Sequence, residues 1–286
     1  MFLESVRVAI FPSAGSVHLY RALDEGAFEA EGLAVDLHEV SSSDEQMELW
    51  DSGAVDVMHT AIDHLLRPRQ RDPVAVRAEG IGELAVYARP GLEPERARWA
   101  VDGPFSAFSF VLQAVIADLA GHVVTTEQLV PIGGTKQRFE ALREGSTDGT
   151  TLHAPFDALA DQAGFERVGG HRDVAPDLVP VVAVTARADA DTPRIDRYLR
   201  ACAESARSLL EEGSEGIRAA LERRGFPAGA AAAAAPQLLG PVGLQFPPTV
   251  DLSGLLASVA LRERFGPGGS IDRRDLDRLL VRRGFS

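Results

Sequence analysis

The stretch Val6-Arg7-Val8-Ala9-Ile10-Phe11-Pro12-Ser13-Ala14-Gly15-Ser16-Val17 reads as a strand, a turn and a helix start in immediate succession. Val6 to Phe11 is a short β-branched run, and Pro12 to Ser16 holds the Pro, Gly and Ser that bend a chain. From Val17 to Glu31, Leu19, Leu23, Ala27 and Phe28 recur with helical spacing, and Gly32 stops the segment. Ala34 to Val40 alternates as a strand. Ser41-Ser42-Ser43-Asp44 then caps a helix from Glu45 to Asp51. Val55 to Met58, Val74 to Ala78 and Leu84 to Ala88 read as further strands. Strands alternating with helices in this order predict an α/β fold, a parallel sheet with helices on both faces.

A second block of the same kind begins near Glu95. Arg98 to Asp102 reads as a strand, Gly103-Pro104-Phe105-Ser106 as a turn and cap, and Ala107 to Ala120 as a strongly apolar helix. Gln128 to Ile132 is a strand, after which Gly133-Gly134-Thr135 opens a helix through Arg143. Gly149 to Leu152, Phe156 to Ala163 and Leu178 to Thr185 read as strand, helix and strand. From Thr192 the chain is mostly helical, with Pro193 at a helix start and Ile195, Leu199, Cys202 and Ala206 on one face. Ala228 to Ala235 is a low-complexity helix or loop, Asp251 caps a helix to about Phe265, and Asp272 to Val281 is a last short helix. The helical remainder is expected to pack back on the first block. That gives two lobes, 1–92 with 186–286 and 93–185.

The 286 residues are 45% hydrophobic and 25% charged, enough apolar material for a real core. A net charge of −13 repels phosphate backbones, so nucleic acid is not an expected partner. The C-terminal arginines Arg273, Arg274, Arg278, Arg282 and Arg283 read as a solvated face. One cysteine, Cys202, excludes an intramolecular disulfide and reads as a small core residue. No run approaches the ~20 apolar residues of a membrane span. The N-terminal run is too short to be a signal-peptide core, so a cytoplasmic protein is expected, or an exported one if a leader was trimmed.

The residues Ile10 to Ser16 followed by Ala22-Leu23-Asp24-Glu25-Gly26-Ala27-Phe28-Glu29-Ala30-Glu31-Gly32-Leu33 resemble the start of the NMT1/THI5-like group. That group includes the sulfonate, nitrate and taurine substrate-binding proteins of ABC importers. Gly53-Ala54-Val55-Asp56-Val57-Met58-His59-Thr60-Ala61, Gly133 to Leu142 and Asp148-Gly149-Thr150-Thr151 are similar to later segments of the same group. The resemblance implies a two-lobed periplasmic-binding-protein-like fold of type II, with a ligand between the lobes and an ABC permease as partner if the chain is exported. Two features depart from the pattern. The N-terminal run does not read as the leader expected of secreted members, and Asp63-His64 stands where many relatives carry Asp-Asn. The scaffold also hosts cytoplasmic enzymes, but the Cys-rich segment of its pyrimidine-precursor synthases is missing here.

In doubly wound sheets a ligand lies beyond the C-terminal strand ends, where turns offer free N–H groups and positive helix ends. This places Phe11, Ser13, Ala14, Gly15 and Ser16 at one corner of the site, Ser41 and Ser42 at another, and His59 and Thr60 at a third. Ser106 and Phe108 come from the second lobe, with Gly134, Thr135, Thr151 and His153. Phe105 and Phe246 are further candidates for an apolar lining. Converging N–H and hydroxyl donors suit a small organic anion, carboxylate or sulfonate, with an aromatic part as an option.

Seven histidines sharpen the question. His38 and His122 read as structural or solvated, whereas His59 and His153 end strands at the expected cleft. Asp63 and His64 follow His59 within one turn, and a His near a carboxylate can be poised for proton transfer. If the chain is an enzyme, His59, His153 and Asp63 are the catalytic candidates. The reaction would then be that of a lyase (a dehydratase, decarboxylase or cyclase) on a carboxylated substrate. No cofactor and no metal are expected: His59, Asp63 and His64 lack the paired spacing of the metallohydrolase helix. Gly80-Ile81-Gly82-Glu83-Leu84-Ala85 runs into a strand where a dinucleotide fingerprint needs a helix. The first reading is a small-molecule-binding module, the second the cytoplasmic lyase.

Overall fold

In the computed structural model, which describes residues 2–66, 72–178, 181–245, 252–267, 273 and 276–280, the chain builds two five-stranded sheets. β1 (Glu4–Ile10) is followed by α1 (Val17–Asp24), α2 (Ala27–Ala30), β2 (Leu33–Glu39), α3 (Ser43–Ser52), β3 (Val57–Ala61) and β4 (Pro73–Glu79). Next come β5 (Ala85–Ala88), β6 (Trp99–Val101), α4 (Ala107–Leu119), β7 (Leu129–Pro131), α5 (Thr135–Glu144) and β8 (Gly149–Leu152). After these stand α6 (Phe156–Gln162), β9 (Glu166–Gly170), α7 (His171–Val174) and β10 (Val182–Arg187). The helices α8 (Thr192–Arg223), α9 (Ala228–Leu238) and α10 (Leu252–Phe265) follow.

The sheet orders are β2-β1-β3-β10-β4 and β7-β6-β8-β5-β9, so the first sheet takes in the late strand β10 while the second is built from the consecutive strands between β4 and β10. β10 runs antiparallel between β3 and β4, and β5 runs antiparallel between β8 and β9. The expected all-parallel sheet is therefore mixed. The reason is geometric: a parallel neighbour needs a crossover of a dozen or more residues. Residues 80–84 are too few to return β5 parallel beside β4, and β5 pairs in the second sheet instead, antiparallel to β8 and β9.

The expected single helix over 17–31 is two, because Gly26 adopts φ 71 between α1 and α2. β9 was not expected. Its sequence Glu-Arg-Val-Gly-Gly has weak strand preference, and it forms an edge where pairing with β5 decides. The apolar stripe of α8 behaves as its spacing predicts, with Ile195, Leu199, Cys202 and Ala206 all buried. Gly213, at φ 70, then bends that helix. Burial pushes the Cys202 thiol up to about 12, which makes it inert at neutral pH. The helix expected over 272–281 is a 3-10 turn at Leu276–Leu279; Phe246, Asp251, Arg274, Arg282 and Arg283 lie outside the described residues. Among the described residues no helix is long and apolar enough to cross a membrane.

Candidate functional site

The C-terminal ends of β1 and β3 face those of β6, β7 and β8 across a cleft of about 590 Å³, mouth included. The turn after β1 supplies Phe11, Ser13 and Ser16, and β3 supplies His59 and Thr60. From the other side come Phe108 of α4, Gly134 and Thr135 at the start of α5, and His153 after β8.

The other expected residues do not line this surface. Ser42 caps α3, its hydroxyl accepting from Glu45 N–H at 3.1 Å, while Ser41 donates through N–H and hydroxyl to Glu45 at 2.8 and 2.9 Å. Ser106 caps α4 by accepting from Ser109 N–H at 3.1 Å, and its hydroxyl donates to Asp102. Gly15 lies against Ile81 so closely that a Cβ would meet its Cγ2 at 2.9 Å. Ala14 is buried in the apolar cluster with Val17 and Leu209, and Thr151 is buried in β8. Asp63 is fully buried away from the cleft lining, with Arg262 of α10 at 3.7 Å. Phe105 is 41% exposed and does not line the cleft. His122 is held by Gln128 at 2.9 Å and stays remote from it.

Proton positions on the first wall follow from Gln46, which is fully buried. Its amide N–H groups donate to the carbonyls of Ala9 (3.3 Å) and His59 (3.0 Å). Its Oε1 must then accept from the Thr60 hydroxyl at 2.7 Å. Thr60 has a single proton, so at 2.6 Å the His64 Nδ1–H donates to it. A dense relay thus fixes Thr60 at the end of β3.

The second wall centres on Arg138, one helical turn into α5 and 1% exposed. Its guanidinium donates to Gly133 O at 2.6 Å, Thr135 Oγ1 at 3.0 Å and Thr151 O at 3.2 Å, all neutral acceptors, and its Nε has no hydrogen-bond partner. Burial lowers its pKa, partly offset by the charge of Asp102, yet a guanidinium keeps its proton. It lies 5.6 Å from the Phe108 ring centroid. Thr135, having accepted from Arg138, donates to His153 Nε2 at 2.9 Å, while His153 Nδ1–H points to Ala154 O at 3.2 Å. His153 is therefore neutral: burial, and then the Arg138 charge, push it down to about 4.

A third group lies at the base of the cleft. His59 Nδ1 donates to Glu79 Oε2 at 2.8 Å, and its Nε2 accepts from the Tyr198 hydroxyl at 2.8 Å. His18 Nε2 lies 3.5 Å from Glu79 Oε1. Burial pushes Glu79 up, but His59, His18 and Arg77 outweigh it and hold the carboxyl below its ordinary range. Burial pushes His18 down to about 4.

No protein-family model matches the chain, and no curated protein does. Solved structures do. A protein of Bordetella bronchiseptica RB50 superposes with a TM-score of 0.81 at 19% identity, over 97% of this chain and 94% of that one. A conserved Candida albicans gene product, described as having the generic periplasmic binding protein fold, gives a TM-score of 0.71 at 14% identity over 99% and 98%. The fold is that of the periplasmic binding proteins. Within it, the alkanesulfonate-binding protein SsuA of Xanthomonas axonopodis pv. citri, solved with MOPS, matches at TM-score 0.72 and 13% identity over 98% and 99%.

In this periplasmic-binding fold the sequence reading did not single out Arg138, Glu79 and Asp102 in the lining, nor His18 beneath it, whereas Ser43 of the turn before α3 and His64 after His59 do line it. One of these carried a signal. Arg138 follows the Gly133-Gly134-Thr135 helix start by three residues, a spacing that turns a side chain back toward the helix N-terminus. Glu79 and His18 carried none, since their meeting depends on how α1 lies over β4.

Proposed function

We propose that the chain is a small-molecule-binding protein that holds a small organic anion, a carboxylate or sulfonate, between its two lobes. The reading rests on Arg138. A fully buried guanidinium whose hydrogen bonds all go to neutral acceptors, with the Asp102 charge near but not hydrogen-bonded to it, has donor capacity left for an anion, and a planar fork suits carboxylate or sulfonate oxygens. The start of α5 adds the positive end of a helix beside it. SsuA, which shares the fold, is described as alkanesulfonate-binding and was captured with MOPS, itself a sulfonate. Membership of the NMT1/THI5-like group and delivery of the ligand to an ABC permease belong to the same proposal. The lyase alternative has weaker support, because both ring nitrogens of His59 and of His153 are engaged by protein partners.

Calorimetric titration with MOPS, short alkanesulfonates and aromatic carboxylates tests the reading. One of these anions is expected to bind, and Arg138→Met to weaken it at least tenfold, about 1.4 kcal/mol. If none binds, and native mass spectrometry finds only a neutral or cationic molecule copurifying, the reading fails.

A further inference from the structure

His18, His59 and Glu79 come from three separate elements, α1, β3 and β4, and meet at one point. Their ligating atoms all lie within 4.8 Å of one another. The three residues are 5%, 4% and 8% exposed, so bulk water does little to balance them. The protons do not balance them. His18 Nδ1 lies 3.0 Å from the Gly15 carbonyl, which can only accept, so the proton of the neutral ring is on Nδ1. Nε2 is then a bare lone pair aimed at Glu79 Oε1, an oxygen that accepts no hydrogen bond. Two buried acceptors face each other, an arrangement that repels unless a cation lies between them.

We propose that His18 Nε2, His59 Nδ1 and the Glu79 carboxylate form a binding site for a divalent transition cation of the zinc type. Two donors, each about 2.1 Å from a shared tetrahedral ion, stand about 3.4 Å apart. The observed His18–Glu79 separation is 3.5 Å. Metal at His59 Nδ1 moves the ring proton to Nε2, where the Tyr198 oxygen at 2.8 Å accepts it. That is the outer hydrogen bond expected of a metal-bound histidine. Two imidazoles with one carboxylate favour zinc or ferrous iron over calcium or magnesium, which prefer all-oxygen sets. Three protein donors leave a fourth position for water or ligand, and His59 and Glu79 both line the cleft. The competing occupant is a proton on His18, which makes an ion pair and takes up no metal.

The test is a Co²⁺ titration of the tag-free, chelator-stripped chain, followed by visible absorption, with Zn²⁺ as competitor. Saturable uptake of one equivalent is expected, with strong absorption bands that Zn²⁺ abolishes. Glu79→Gln and His18→Gln should each lower affinity at least tenfold, and Tyr198→Phe by about tenfold. Circular dichroism confirms that each variant folds. Arg138→Met should bind Co²⁺ as the wild type does, which separates this proposal from the anion reading. Failure of the wild type to take up Co²⁺ or Zn²⁺ overturns the site, and so does wild-type affinity in Glu79→Gln and His18→Gln.

Discussion

The Gly134 N–H donates to the Ser41 carbonyl at 2.9 Å, tying the start of α5 to the turn before α3 across the mouth of the cleft. A second tie runs from the Ser43 hydroxyl to Asp102 at 3.2 Å. Both joints link elements of different sheets, so the arrangement is a closed one. A Cβ on Gly134 would meet Ser41 O at 3.2 Å and Gln137 Oε1 at 2.9 Å. The Gln137 side chain can swing aside, but the Ser41 carbonyl is backbone. Gly134→Ala is therefore expected to cost the joint about 1 kcal/mol. Small-angle scattering of the ligand-free variant should give a larger radius of gyration than wild type; an unchanged radius and melting temperature would refute the latch.

Gln46 organises the first wall, so its loss should be felt beyond its own volume. Gln46→Leu keeps the size but removes one hydrogen bond each from the Ala9 and His59 carbonyls and takes from the Thr60 hydroxyl its acceptor, leaving Thr60 with His64 alone. An abandoned buried polar group costs about 1–3 kcal/mol. A loss of about 2 kcal/mol is expected in urea unfolding. A loss below about 1 kcal/mol would mean that the relay has little bearing on stability.

His153 sets an acid limit. Its folded pKa, about 4, lies below the ordinary 6.5, so the unfolded chain binds the extra proton. Its contribution is complete above pH 6.5 and is lost as pH falls from there toward 4. Between pH 7 and pH 5 that amounts to about 2 kcal/mol. Urea unfolding at the two pH values should show at least this loss in wild type, with His18 adding a similar one, and His153→Gln should remove about 2 kcal/mol of the difference. Equal slopes for both proteins would place the acid sensitivity elsewhere.

The sequence made the turns legible and the partnerships between distant elements not. Pro12, Gly15 and Ser16 mark their turn through local backbone preference, and Ser42 and Ser106 mark helix starts through the hydrogen bonds they accept. Those features act within a few residues. β10 and β5 are different: each pairs with strands remote in sequence, and nothing local says which sheet will receive them. The same holds at the site. Phe11, Ser13 and Thr60 were readable because strand ends carry ligands, whereas Glu79 matters only because His18 and His59 converge on it from other elements.

Arg138 separates two ways of holding an anion. If charge alone matters, Arg138→Lys preserves binding. The guanidinium is instead held as a fork by Gly133, Thr135 and Thr151, and lies against Phe108. A lysine ammonium is a compact point charge that cannot reach these acceptors together and still face the cleft. Arg138→Lys should therefore bind the anion at least tenfold more weakly than wild type, close to Arg138→Met. Because the cation is buried, added salt should change wild-type affinity little. Calorimetry at low and high ionic strength checks both points; wild-type affinity in Arg138→Lys would show that the anion is held by charge and not by geometry.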